Sequence, residues 1–322
     1  MKYAMTGATG FVGRALLRQL RADGHEVVAL VRSPDRAGDL ADAGVEIVAG
    51  DVSDIPAMVR AFSGTDGVFH VAGWYKVGNP DWREAWSVNV DGTRNALEAA
   101  RQAEVPRVVY TSTCAINSDT DGATVDETYR HRGPHLTTYD ETKSLAHDVA
   151  AEFAVARDRP EVVIVMPGGI YGPGDSSQVG QLLEQVATGH RALVSARLRM
   201  VEAHVDDIAA GHVLAMTRGR AGEAYMLAGE RTDLASMAEE MARITDGPRP
   251  IVMPGPLLPV AERVLAVAGR VLPLPSDFSA EAMRSARSSY LGTSAKARRE
   301  LGWTYRSLYQ GLRDTARSEG WV

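Results

Sequence analysis

Tyr139 and Lys143 stand four residues apart in the run Tyr139-Asp140-Glu141-Thr142-Lys143, so on a helix they share one face. That spacing suits a proton relay. A free tyrosine has a pKa of about 10 and is a poor base at neutral pH, whereas a neighbouring ammonium stabilises its phenolate. Upstream lies the hydroxyl-rich run Tyr110-Thr111-Ser112-Thr113. Thr113 or Ser112 would hold a substrate oxygen while Tyr139 exchanges a proton with it. Taken alone, an aromatic and a lysine on an amphipathic helix would be a chance pair.

The run Thr6-Gly7-Ala8-Thr9-Gly10-Phe11-Val12-Gly13 changes that balance, because it follows apolar Tyr3–Met5 and opens onto the helically spaced Arg14–Leu20. Strand, glycine turn and helix make a dinucleotide-phosphate site. The turn is tight, a side chain would block the pyrophosphate, and the helix N-terminus offers free N–H groups. The spacing Gly-x-x-Gly-x-x-Gly departs from the usual G-x-G-x-x-G, so its context carries the weight. Gly7, Thr9, Gly10, Phe11 and Val12 are the expected cofactor residues here. An oxidised nicotinamide beside Tyr139 would favour its phenolate further.

The second strand ends Ala29-Leu30-Val31-Arg32-Ser33-Pro34, and Arg32 occupies the place where an NAD site puts an acid for the ribose. With Ser33 and Arg36 nearby it suits a 2′-phosphate, so NADP(H) is the expected cofactor and NAD(H) the second choice. Asp51-Val52 follows the third strand. The carboxylate would accept from the adenine amino group while the valine packs on the ring, or Asp51 would cap the next helix.

The elements that must position these groups are legible as alternating apolar runs and helical patterns. Strands are expected at Tyr3–Thr6, Glu26–Arg32, Val45–Gly50, Gly67–Ala72, Arg107–Thr113 and Val162–Pro167. Helices are expected over Phe11–Ala22, Asp35–Ala43, Ile55–Phe62, Asp81–Ala103 and Thr137–Arg157. The class is α/β, a Rossmann-type doubly wound parallel sheet. A Gly- and Pro-rich loop follows Pro167, Val201–Val205 leads into a helix over Asp206–Thr217, and the chain beyond Gly229 reads as mainly helical. The expected organisation is a cofactor-binding domain of residues 1–174 plus about 200–229, and a smaller, mainly helical substrate-binding region of about 175–199 plus 230–322.

With 322 residues, 45% hydrophobic and 24% charged, the chain can bury a sizeable core, and a net charge of −6 without a basic patch argues against nucleic acid. Cys114 is the only cysteine, which excludes an internal disulfide and a cysteine-based metal site and fits a reducing, cytoplasmic compartment. No metal is expected. The N-terminal residues already form the glycine-turn strand, so they do not read as a signal peptide. Leu257–Pro275 is apolar but interrupted by Glu262, Arg263 and Arg270, and reads as an amphipathic helix, with no integral membrane segment expected.

The chain resembles the extended short-chain dehydrogenase/reductase family, also called the epimerase/dehydratase family. The resemblance rests on Gly7, Gly10 and Gly13; Asp51-Val52; His70-Val71-Ala72-Gly73; Asn89-Val90-Asp91-Gly92-Thr93; Tyr110–Thr113; and Tyr139 with Lys143. It continues through Pro167–Gly174, Ala203–Asp207 and the closing Tyr290-Leu291 and Ser294–Trp303, and so covers nearly the whole chain. It implies that Thr113, Tyr139 and Lys143 form a catalytic triad, with Lys143 also on the nicotinamide ribose. Val71, Ala72 and Gly73 would line the adenosine and ribose path, Pro167, Gly168, Gly169 and Ile170 would line the nicotinamide, and Asn89 would support the active-site end of its helix. Asp206 would cap a helix and Asp207 would add charge to its first turn.

Thr113 stands where the family usually has serine, and Cys114-Ala115 follows where its sugar-nucleotide dehydratases have an Asp-Glu pair, which disfavours dehydration. Val31–Pro34 and Trp74-Tyr75-Lys76-Val77 look closest to the dihydroflavonol-reductase-like branch. That implies a carbonyl reductase or alcohol dehydrogenase passing hydride between NADPH and a ketone or aldehyde. Trp74, Tyr75, Ser112 and Cys114 are the candidate substrate contacts, although Cys114 reads equally as packing. The alternatives are a sugar or sugar-nucleotide epimerase, with Arg191, Arg197 and Arg199 as diphosphate cations, and a non-catalytic dinucleotide sensor. Small molecules are the expected partners, and the helices around 81–103 and 137–157 the expected homodimer contact.

Overall fold

A computed structural model describes residues 1–75, 82–155, 160–195, 198–253, 284–285 and 287–322. All six expected strands form: β1 Lys2–Thr6, β2 Glu26–Val31, β3 Glu46–Ala49, β4 Gly67–His70, β5 Arg107–Thr111 and β6 Glu161–Pro167. They are joined by β7 Gly169–Tyr171, β8 Leu193–Ser195, β9 Arg199–His204, β10 Ala224–Leu227, β11 Glu230–Asp233, β12 Ile251–Met253 and β13 Ser289–Tyr290. The main sheet runs β10-β6-β5-β4-β1-β2-β3, and every pairing in it is parallel. This is the doubly wound order of a Rossmann fold, whose strand order reverses between β1 and β4.

Both faces of this sheet are covered, as parallel sheets require. Ala4, Val28, Leu30, Val108 and Tyr110 bury against one set of helices, including Ile55–Phe62 and Gly92–Gln102. The alternate residues Tyr3, Met5, Val27, Ala29 and Val109 bury against Phe11–Ala22 and Val205–Arg218 on the other. Period-two alternation alone assigns each residue to its layer.

The helices are α1 Phe11–Ala22, α2 Gly38–Asp42, α3 Ile55–Phe62, α4 Trp82–Trp86, α5 Gly92–Gln102, α6 Thr138–Val155, α7 Gln178–Ala187, α8 Val205–Arg218, α9 Leu234–Ile244, α10 Ala295–Glu300 and α11 Leu308–Ser318. Three expectations are corrected. The helix expected over Asp35–Ala43 is a 3₁₀ turn at Pro34–Arg36 followed by α2. The helix expected over Asp81–Ala103 is broken by a π-helical turn at Ser87–Asp91, which turns Asn89 inward. The cap of α8 is His204, whose Nδ1 accepts the Asp206 N–H at 3.2 Å, so Asp206 and Asp207 both lie in the first turn.

Beyond Gly229 the described chain also contributes strands, because β9 pairs with β7, β11 and β13 in a second sheet. These strands are too short to show alternation in the sequence. A third core lies under α7 and α9, formed by Tyr171, Leu183, Met237, Met241 and Leu312 among others. Leu257–Pro275, Arg197, Lys76 and Val77 lie outside the described residues.

Candidate active site

The glycine turn closes at the C-terminal end of β1. Gly7 has φ +74°, and a Cβ there would sit 2.6 Å from the Ala72 amide nitrogen. A Cβ on Gly13 would sit 2.0 Å from the Gly7 carbonyl oxygen, so these two glycines let β1, α1 and the end of β4 meet. Gly10 differs: its Cβ would meet only the Gly7 oxygen, at 3.3 Å, which leaves its other side open to a ligand. The first turn of α1 carries no side-chain cap and no acid, so its N–H groups are available to an anion. A pyrophosphate fits this cradle.

Phe11 and Val12 pack half-buried against the core and thereby hold the turn, from which Thr9 is exposed. Arg32 is exposed just beyond β2, and its charge reaches Asp51. Asp51 accepts from both the Ser53 amide at 2.7 Å and the Ser53 hydroxyl at 2.6 Å, bonds that hold its carboxyl below the usual range. The cap of α3 is Asp54, accepting from the Ala57 amide at 2.9 Å, so Asp51 does not cap that helix. Val52 is pinned against α5, where a Cβ on Gly92 would lie 2.7 Å from its methyl carbon.

Tyr139 enters from the first turn of α6, with its hydroxyl beside the Thr113 side chain, just past β5. Thr113 Oγ1 also donates to the Pro167 carbonyl at 3.5 Å and accepts the Ala115 amide at 3.1 Å. Lys143, one turn along, donates from Nζ to the Thr111 carbonyl at 2.7 Å and to the Tyr110 hydroxyl at 3.1 Å. A Cβ on the exposed Gly73 would lie 3.9 Å from that Nζ, so the expected ribose path passes close to the amine.

Enclosure raises the Tyr139 phenol well above its ordinary value, the neighbouring Tyr75 adds to the rise, and the Thr113 hydroxyl opposes it. Burial pulls the Lys143 ammonium down to about 7. The sequence-based expectation that Lys143 lowers the Tyr139 pKa is therefore not met by the protein's own groups. Nζ is turned to Tyr110 and Thr111, and desolvation wins. A phenol that keeps its proton is a proton donor, the form that reduction of a carbonyl needs.

The remaining candidates separate clearly. The Ser112 hydroxyl is buried and bonded to His147 Nδ1 at 2.9 Å, which leaves Thr113 as the hydroxyl beside Tyr139. Cys114 is buried in the core with Sγ 3.2 Å from the Met166 carbonyl, and burial pushes its thiol up to about 12, so it behaves as a packing residue. Trp74 is buried with its indole N–H on Glu84 at 2.8 Å, whereas the Tyr75 ring stands edge-on to Tyr139 at 5.0 Å. Pro167 to Ile170 lead from β6 into β7, where a Cβ on Gly168 would lie 2.3 Å from the Val201 carbonyl oxygen. Arg191 and Arg199 are exposed. No group of acids, histidines or cysteines able to hold a metal occurs among the described residues.

Two supporting features had weak sequence signals. Asn89 accepts the Trp74 amide at 2.7 Å and donates to the Trp74 carbonyl at 3.2 Å and to Thr142 Oγ1 at 3.0 Å. It thus ties the loop after β4 to α6, a fuller role than support of its own helix. His70 bonds Thr6 Oγ1 at 2.8 Å and Thr93 Oγ1 at 3.3 Å, and its ring stacks on Tyr110 at 5.7 Å. A histidine inside an otherwise apolar strand was the available clue.

A family model for the NAD dependent epimerase/dehydratase family matches residues 3–228. The chain belongs to that family. It is an NAD(P)-dependent oxidoreductase of the extended short-chain dehydrogenase/reductase class. It is 34% identical over 326 residues to a dihydroflavonol 4-reductase-like protein of Synechocystis sp., covering 97% of this chain and 92% of that one. It is 31% identical to the 4-hydroxy-2-methyl-3-oxo-4-farnesyl-3,4-dihydroquinoline-1-oxide ketoreductase of Stigmatella aurantiaca, covering 99% and 97%. The crystal structure of gox2253 superposes with a TM-score of 0.84 at 30% identity, covering 99% of both chains. No helix among the described residues is long and apolar enough to cross a membrane.

Proposed function

We propose that this chain is an NADP-dependent carbonyl reductase/alcohol dehydrogenase that acts on a ketone or aldehyde. The observation that carries the reading is the Tyr139 hydroxyl beside the Thr113 side chain, with the buried Lys143 one turn along, at the strand ends that face the glycine turn. The bound nicotinamide would supply or accept the hydride. Thr113 Oγ1 orients the substrate oxygen, and Tyr139 donates its proton to that oxygen as the carbonyl becomes an alcohol. Lys143, its Nζ held by the Tyr110 hydroxyl and the Thr111 carbonyl, reaches the ribose path beside Gly73.

Arg32 supports NADP over NAD, since it is exposed where the adenosine ribose would lie and no acid takes that place. Pro167, Gly168, Gly169 and Ile170 support the nicotinamide, and Asp51-Val52 with Val71-Ala72 the adenosine. Residues 1–174 plus about 200–229 would bind cofactor and the remainder shape the substrate side. The reading includes a cytoplasmic enzyme and a homodimer contact through the helices around 81–103 and 137–157. The reductase and ketoreductase names of two relatives favour net reduction. Burial of Cys114 argues against an epimerase that uses it as acid or base.

The deciding experiment is a cofactor-oxidation screen over aldehydes, ketones, and steroid-like and flavonoid-like carbonyls with NADPH and NADH. Net NADPH consumption is expected. Sugar epimerisation without net consumption would replace this reading, and tight binding without any turnover would leave a sensor.

A further inference from the structure

Buried polar atoms without partners are rare in native proteins, and each calls for an explanation. Glu202 Oε1 and Oε2, His204 Nε2 and Asp175 Oδ2 are four such atoms. Glu202 is 2% and His204 1% exposed, so neither is satisfied by bulk water. The two alternate along β9 and therefore point to one face of it. The Asp175 charge bears on Glu202.

Their chemistry is defined by their neighbours. His204 Nδ1 accepts the Asp206 N–H, and burial holds the ring neutral, so the proton sits on Nε2 and that atom is a donor. Glu202 and Asp175 supply acceptors. Glu202 pairs across the strands with Gly169, and a Cβ on Gly169 would lie 2.0 Å from Glu202 Oε1. The carboxyl therefore lies over the segment expected at the nicotinamide. Tyr75 lies in the field of both acids and stands edge-on to Tyr139.

An anion would be repelled by the Asp175 carboxyl, and an ammonium has no use for the imidazole donor. A hydroxyl gives a proton and accepts one. We propose that Glu202, Asp175 and His204 form a polar subsite that takes a hydroxyl group of the carbonyl substrate, away from the oxygen held by Thr113 and Tyr139. This rests on the reductase reading for the reacting carbonyl, but not for the subsite itself. Burial pushes the Glu202 carboxyl up to about 8, so near neutral pH it too can donate or accept.

The test compares acetophenone with its ring- and side-chain-hydroxylated derivatives. Wild type should prefer at least one hydroxylated ketone by about 10-fold or more in kcat/KM. Glu202→Leu should bring that ratio to within about 3-fold of unity, and Glu202→Gln, which keeps an accepting oxygen, should recover part of it. Glu202→Ala is read as the Leu variant is if the latter does not fold. A wild-type ratio near unity, or a ratio unchanged by removing the carboxyl, overturns the subsite. Thermal shift with oxidised cofactor and the same ketones separates the two readings. If wild type reduces none of them, a larger shift by a hydroxylated ketone in wild type than in the Leu variant supports the subsite while the reductase reading falls. Equal shifts overturn the subsite and leave a buried water as the group's partner.

Discussion

Lys143 Nζ donates to the Tyr110 hydroxyl at 3.1 Å and stands 4.8 Å from the centre of the same ring. Tyr110 is fully buried and stacks on His70 at 5.7 Å, and His70 bonds Thr6 Oγ1 at 2.8 Å, which in turn accepts the Ala72 amide at 3.2 Å. The Lys143 amine and the glycine turn are thus joined through one buried cluster of rings and hydroxyls, and such clusters fix a single arrangement when their polar members are satisfied.

Tyr110→Phe keeps the ring and removes the hydroxyl. Lys143 retains only its bond to the Thr111 carbonyl, so the cofactor KM should rise and kcat/KM should fall roughly 10-fold, the worth of one hydrogen bond to a charged group. Steady-state cofactor titrations check this. Unchanged kinetics would mean that the carbonyl alone positions the amine.

Tyr139→Phe removes the proton donor and leaves the glycine turn intact. Turnover should fall by a factor on the order of 10²–10⁴ while the cofactor dissociation constant stays within about 3-fold. Initial rates and fluorescence titration of bound cofactor measure the two separately. Retained turnover would sink the mechanism.

Arg32→Ser tests the cofactor choice. The ratio of kcat/KM for NADPH over NADH should drop by roughly 10-fold or more, since a charge-assisted bond to the 2′-phosphate is lost. A wild-type preference for NADH contradicts the role given to Arg32.

Glu202 gives stability a pH dependence of known sign. Its pKa is raised from 4.5 to about 8 by burial and by Asp175, so between those values the folded state keeps a proton that the unfolded chain has released. Its contribution is fully present below pH 4.5 and is lost as pH rises through about 8. The Tm of wild type minus that of Glu202→Gln should therefore decrease from about pH 5 to about pH 8, by a few °C. Lys143, lowered to about 7, acts in the opposite sense above that pH but is common to both proteins and cancels. Calorimetry at the two pH values reads the difference, and a constant difference refutes the raised carboxyl.

Much of this protein is written locally. Apolar, β-branched runs between helical patterns determined all six leading strands, because parallel strands buried on both faces read as continuous apolar runs. The glycine run determined the phosphate cradle, since only glycine fits where a Cβ would stand 2.0 Å from a carbonyl oxygen. The spacing of Tyr139 and Lys143 determined that they share a helix face. What the sequence left open were choices between adjacent residues. Thr113 faces Tyr139 while Ser112 turns to His147, and Tyr75 reaches the site while Trp74 is buried. The π-helical turn that aims Asn89, and the burial of Glu202, His204 and Asp175 Oδ2 without partners, belong with these. Each depends on which distant element closes over the residue, and burial, which here raises Tyr139 and lowers Lys143, is a property of the packed chain that no local spacing encodes.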